Sequence, residues 1–214
     1  MRKILGFMLL ALACFAVPGW TATVPAVTLS NTTGQSLGNP PFTLGWQFTT
    51  NSSITVSELG LFDDSLNGLV DSHQIGIWNS TGTLLGMTTV QAGTVDPLIN
   101  QFRYAAITGG PITLAAGQTY EIGALFLDGN DPNIFPGNAT NFGTDSRITF
   151  DQNSFIAGST LMDPTNHFDT EPAYFGPNFL IGTTSGVPEP SAILLLGGGL
   201  LGIAGVIRRR RSKA

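Results

Sequence analysis

Between Thr23 and Gly186 the chain sustains no apolar repeat of helical period. Short runs of β-branched and aromatic residues are instead cut off every few positions by Gly, Ser, Thr and Asn. That punctuation leaves strands and turns as the main building material. Strands are expected at Val24–Leu29, Leu44–Thr49, Ile54–Phe62, Gln74–Trp78, Leu84–Val90, Phe102–Ile107, Tyr120–Leu127, Ile148–Phe150 and Asn178–Ile181. Thr32-Thr33-Gly34, Ser80-Thr81-Gly82 and Ala116-Gly117-Gln118 read as turns. Within Ile54–Phe62, Ile54 and Val56 fall on one face of a strand but Leu59 and Leu61 on the other. This places a bulge near Glu58, or else a strand buried on both sides. The expected fold class is all-β: an antiparallel β-sandwich of jelly-roll-like form. From Asp128 to Pro177 the pattern lapses, and only Ile148–Phe150 reads as a strand there. The aromatic residues Phe135, Phe142, Phe155, Phe168, Tyr174 and Phe175 give that stretch the means to pack.

The two ends differ from the middle. Seven of the nine basic residues lie in them, and Thr23 to Gly186 holds two basic residues against 13 acidic ones, a formal charge of −11. Such a surface repels phosphate backbones, which excludes nucleic acid as a partner, and it attracts divalent cations. Residues 1–26 read as a secretory signal peptide with a helical apolar core. Arg2 and Lys3 lead an apolar run from Ile4 to Val17, and Val24-Pro25-Ala26 supplies small or aliphatic residues for a cut after Ala26. A cut after Ala22 would put Trp20 at the third position upstream, a poor fit. The only cysteine is Cys14, so a chain cleaved after Ala26 has no disulfide and depends on its core.

Residues 187–214 have three parts. Val187-Pro188-Glu189-Pro190 cannot continue a helix, because its prolines lack amide donors and bias their neighbours toward extended geometry. Residues 192–207 are 16 uncharged, mostly apolar residues, about 24 Å of helix against a hydrocarbon core of about 30 Å. Arg208, Arg209, Arg210 and Arg211 then stop transfer and stay on the cytoplasmic side. This order of extended tether, short transmembrane helix and basic cluster resembles the PEP-CTERM sorting signal of exported bacterial proteins. The resemblance implies processing by an exosortase near the Pro-Glu-Pro element. It also implies the secretion machinery and the inner membrane as partners and a setting where exopolysaccharide is made. The simpler alternative is a permanent C-terminal anchor. The domains expected are therefore 1–26 leader, 27–186 extracytoplasmic sandwich and 187–214 sorting signal.

The stretch from Gly45-Trp46-Gln47-Phe48 through Ile54–Asp63, His73-Gln74-Ile75-Gly76-Ile77-Trp78 and Gly82-Thr83-Leu84-Leu85 resembles a type of bacterial extracellular β-sandwich without a settled activity. The resemblance supports the fold and says little about chemistry.

Several residues are candidates for chemistry. Asp128, Asn130 and Asp131 lie on one tight turn and offer hard oxygen ligands for calcium, although Asx-rich turns also form for backbone reasons alone. Asp63, Asp64 and Asp71 form a weaker set. His73, near Asp71, and His167, between Asp163 and Asp169, could serve as carboxylate-oriented bases, but no nucleophile elbow accompanies either. Trp46, Trp78, Tyr104 and Tyr120 lie in strands, where core packing is the default. Tyr174, flanked by Pro172 and Pro177, is the candidate for stacking on a sugar face. The sequence thus points to a non-enzymatic protein, exported and sorted to the envelope, outer surface or extracellular matrix, and associating with polysaccharide. A secreted glycan hydrolase and a permanently anchored periplasmic domain are the alternatives.

Overall fold

The computed structural model describes residues 22–30, 34, 41–134, 140–168 and 176–182. All belong to one unit, Ala22–Thr183. Residues 1–21 of the expected leader, Tyr174 and the whole of the expected sorting tail, including Val187–Pro190, the apolar run 192–207 and Arg208–Arg211, lie outside the described residues. Among the described residues no helix is long and apolar enough to cross a membrane.

The strands are β1 (Thr23–Pro25), β2 (Val27–Ser30), β3 (Phe42–Thr50), β4 (Ile54–Phe62), β5 (His73–Asn79), β6 (Leu84–Val90), β7 (Leu98–Ile99), β8 (Phe102–Ala106), β9 (Ile112–Leu114), β10 (Thr119–Phe126), β11 (Thr140–Thr144), β12 (Ile148–Ala157), β13 (Asn166–Phe168) and β14 (Pro177–Gly182). One six-stranded sheet runs β13-β12-β3-β10-β5-β6. The other runs β1-β14-β4-β8-β7, with β9 also on β4, and β11 pairs with β2 in a small third sheet. The named pairings are antiparallel throughout. Three pairs nest inside one another along the chain, β3 with β10, β4 with β8 and β5 with β6, and β10 also joins β5. That wrapped double hairpin is the jelly-roll pattern.

Period-two alternation builds the core. Leu44, Trp46 and Phe48 of β3 and Tyr120, Ile122, Ala124 and Phe126 of β10 face inward and are buried. The sheets meet where Trp46 stacks on Phe179 of β14, with ring centroids 5.8 Å apart and planes at 18°. Phe48 reaches the same ring at 5.0 Å. Aromatic pairs of this kind add about 0.5–1.5 kcal/mol beyond their burial. The indole N–H of Trp46 donates to the carbonyl of Pro177 at 3.0 Å, so its polar atom is not stranded in the core.

The face switch in β4 is a bulge. Leu180 stands opposite Glu58 and Ile181 opposite Val56, which leaves Ser57 without a partner on β14 and lets Val56, Leu59 and Leu61 all enter the core. The expected turns at Ser80–Gly82 and Ala116–Gln118 are present. Asn79 Oδ1 accepts from the amides of Thr81 and Thr83, and Gly82 and Gly117 take positive φ.

The region expected to be irregular after Asp128 is the main departure. It holds β11 and β13, and β12 is ten residues long rather than three. A second bulge, at Asp151, separates the pair Phe150–Phe48 from the pair Gln152–Gln47. The apolar alternation of β12 therefore breaks mid-strand, and four polar residues, Asp151 to Ser154, hide its length in the sequence.

Candidate functional site

The outward face of the β13-β12-β3-β10-β5-β6 sheet carries a row of polar side chains in register. Gln152 of β12 stands opposite Gln47 of β3, Gln47 opposite Glu121 of β10, and Glu121 opposite Trp78 of β5. The amide of Gln152 donates to Gln47 Oε1 at 2.9 Å, and Gln47 Nε2 donates to Glu121 Oε1 at 2.7 Å. From β13, His167 Nε2 meets the same oxygen at 2.7 Å. Glu121 is 5% exposed, and its other oxygen, Oε2, is buried without a hydrogen-bond partner, as is the hydroxyl of Ser154. Burial is the largest influence on the Glu121 carboxyl and raises it above 4.5, its ordinary value. The hydrogen bond and charge of His167 and the hydrogen bond from the Gln47 amide oppose that rise without cancelling it. Asp163 is also raised, by burial, with the charge of His167 acting the other way.

The row is flanked by a stripe without side chains. Gly45, Gly123 and Gly76 lie side by side on β3, β10 and β5. The chain between β12 and β13 crosses this stripe. The Met162 amide donates to Thr43 Oγ1 at 3.3 Å, and a Cβ on Gly123 would stand 3.2 Å from the ring of Pro164. The Trp78 indole lies over Gly76, where a Cβ would come within 2.7 Å of its ring. Trp78 is 4% exposed, buried on the outward face rather than in the main core.

His73 and His167, the two candidate bases, are in unlike surroundings. His73 is buried, with Nδ1 2.9 Å from the carbonyl of Leu125 and Nε2 2.9 Å from Asp131 Oδ2. Both ring nitrogens face oxygen atoms, one a backbone carbonyl and the other a carboxyl. Its partner is Asp131, not the nearby Asp71. Burial raises the Asp131 carboxyl most, yet hydrogen bonds from His73 and from the amides of Val70 and Asp71 outweigh it and hold the group below its ordinary value.

This pairing also redirects the candidate calcium turn. Asp131 points inward and spends both oxygens on His73, Val70 and Asp71. Asp128 accepts from the amide of Asn130, and Asn130 donates to Asp71. In this structure Asp128, Asn130 and Asp131 are thus engaged with different partners. The second set is likewise dispersed. Asp63 is fully buried against Arg103, at 2.7 Å, and accepts from Gly68, while Asp64 accepts from Gly34. Among the described residues no group of three or more His, Cys, Asp or Glu could hold a metal ion.

Trp46 and Tyr104 are core residues. Tyr120 is buried as well, with its hydroxyl accepting from the Ala115 amide at 2.8 Å. Sequence reasoning missed Glu121, Gln47 and Gln152. The available signal was Glu121 itself, a single acid between Tyr120 and Ile122 in an otherwise apolar strand.

These features define a class: an antiparallel jelly-roll-like sandwich with a polar network laid across the outside of its larger continuous sheet. The chain belongs to the family described as a domain of unknown function, DUF4082, which matches residues 27–175. A PEP-CTERM protein-sorting motif matches residues 186–211 and marks an exosortase-sorted exported protein of the cell surface or extracellular space. No curated protein matches the chain.

Proposed function

We propose that this protein is a non-catalytic binding domain displayed outside the cell, and that it associates with extracellular polysaccharide through the outward face of the β12-β3-β10-β5 strands. On this reading a leader directs export, the tail holds a precursor in the inner membrane, and exosortase processing near Pro188-Glu189-Pro190 frees the domain. The observation that carries the reading is the network Gln152–Gln47–Glu121–His167. Amide, carboxyl and imidazole groups fixed on rigid strands suit the mixed donor and acceptor pattern of sugar hydroxyls. The formal charge of −11 between Thr23 and Gly186 favours a neutral glycan over a polyanionic one.

The test is co-sedimentation of the processed protein with purified neutral polysaccharide from its own host. Retention that falls at least fivefold in Gln47→Ala/Gln152→Ala is expected. Wild-type protein that stays in the supernatant rejects the reading. Release of reducing ends in the same incubation would favour the hydrolase alternative, for which Glu121 and Asp163 are two carboxyls near His167 shifted upward by burial.

A further inference from the structure

The residues on either side of the expected leader cut are built into the sandwich. Thr23, Val24 and Pro25 pair with Gly182, Ile181 and Leu180 of β14. Ala26 is fully buried; its amide donates to the Phe179 carbonyl at 2.8 Å, and its carbonyl accepts from the Asp145 amide at 2.9 Å. Val27 is also fully buried, and its amide donates to Asn178 Oδ1 at 3.0 Å.

We infer that the leader is removed upstream of Thr23, so that β1 remains in the mature protein. The inference rests on the export reading above.

Hydrolysis between Ala26 and Val27 would add the hydroxyl of water to the Ala26 carbonyl and its proton to the Val27 nitrogen. At neutral pH that nitrogen would then carry a second added proton from solvent and become an α-ammonium. One N–H bonded to a neutral amide oxygen would be replaced by a charged group with three. The same oxygen already accepts from the Phe179 amide at 2.8 Å, and Asn178 is itself fully buried. The bonds of Ala26 to Phe179 and Asp145, and its buried side chain, would be lost with the removed segment. The cut would also strip β1 from β14 and turn an interior strand into an edge.

A cut upstream of Thr23 leaves the pairing of β1 and the bonds of Ala26 and Val27 in place. Val17-Pro18-Gly19 repeats the pattern of Val24-Pro25-Ala26, with an aliphatic residue followed two positions later by a small one. Ala22 is a further small residue, although a cut after it keeps Trp20 at the third position upstream, so Gly19 is the better site.

Mass spectrometry of the N-terminal peptide from protein secreted by its native host tests this. A mature chain that begins between Val17 and Thr23 is expected. A main species that begins at Val27 overturns the inference while leaving export intact. One that keeps Met1 overturns the inference and the leader reading together. In the double variant Gly19→Gln/Ala22→Gln, unprocessed precursor should rise at least fivefold. Normal yield of a chain that starts at Val27 would again overturn the inference.

Discussion

Asn178 acts toward Val27 as a neighbouring strand would. Its Oδ1 accepts from the Val27 amide at 3.0 Å and its Nδ2 donates to the Val27 carbonyl at 2.9 Å, with both residues fully buried. The pair joins the start of the sandwich to its last strand. Asn178→Leu keeps the volume but strands both backbone groups. A loss of about 2–6 kcal/mol is expected, because each buried unsatisfied group costs about 1–3 kcal/mol. Urea unfolding should show a lower midpoint with an unchanged slope.

The buried pair Arg103–Asp63 gives a second prediction. Arg103 Nε lies 2.7 Å from Asp63 Oδ2 and its Nη1 donates to the Asp96 carbonyl, so one side chain ties together the loops on either side of it. Arg103→Leu leaves the Asp63 carboxylate buried without its charge partner. Breaking a buried pair in this way costs about 3–5 kcal/mol. Asp63→Leu/Arg103→Leu should recover part of that loss in the same unfolding assay.

Two carboxyls set opposite slopes in stability against pH. Glu121 is raised, so the folded state holds its proton above 4.5, where the unfolded chain gives it up. Its contribution is most favourable below that value and is lost as pH rises through the raised folded value. Asp131 is lowered below 3.8, so its contribution is complete above that value and disappears as pH falls through the depressed folded value. Thermal melts from pH 3 to pH 8 should show Glu121→Gln removing a decline on the rising side. Asp131→Asn should make the acid side shallower.

The glycine stripe predicts unequal tolerance. A Cβ on Gly45 would collide with the backbone carbonyl of Ile122, which cannot move without breaking the ladder. A Cβ on Gly123 meets side chains of Thr43 and Pro164, at 2.8 and 3.2 Å, and these can shift. Gly45→Ala should therefore fail to accumulate as folded protein. Gly123→Ala should fold with a loss of about 1–3 kcal/mol, the usual range for overpacking, and faster protease cleavage between Gly158 and Thr165.

Much of the fold was legible because alternation and turn chemistry agree locally. Ile54–Phe62 and Leu84–Val90 stand at their expected bounds, and the unequal faces of the first pointed to the bulge beside Glu58. β12 was hidden because its bulge at Asp151 shifts the apolar residues from one parity to the other. The short strands β7 and β9, with two and three residues, are too brief for any period to register. The site was harder. Glu121 and His167 lie 46 positions apart, and only the pairing of β12 with β3 and β13 brings them together. Asp131 read as a metal ligand because its local sequence is Asx-rich. Its hydrogen bond to His73, 58 positions away, left no trace in the local sequence.

β14 lies between β1 and β4, yet it is nearly the last part of the sandwich to be synthesised. Only residues 183–185 separate it from the start of the sorting motif at 186. Its partners are distant in the chain, so their pairing must wait for a long loop to close. In an exported chain threaded from its N-terminus, Trp46 and Phe48 cross the membrane well before Phe179 can cover them. The sheet that β14 completes cannot close until the sorting motif is about to follow. Strand position thus sets an order in time: the sheet can first be whole only as the sorting motif, which follows it directly in the chain, becomes available.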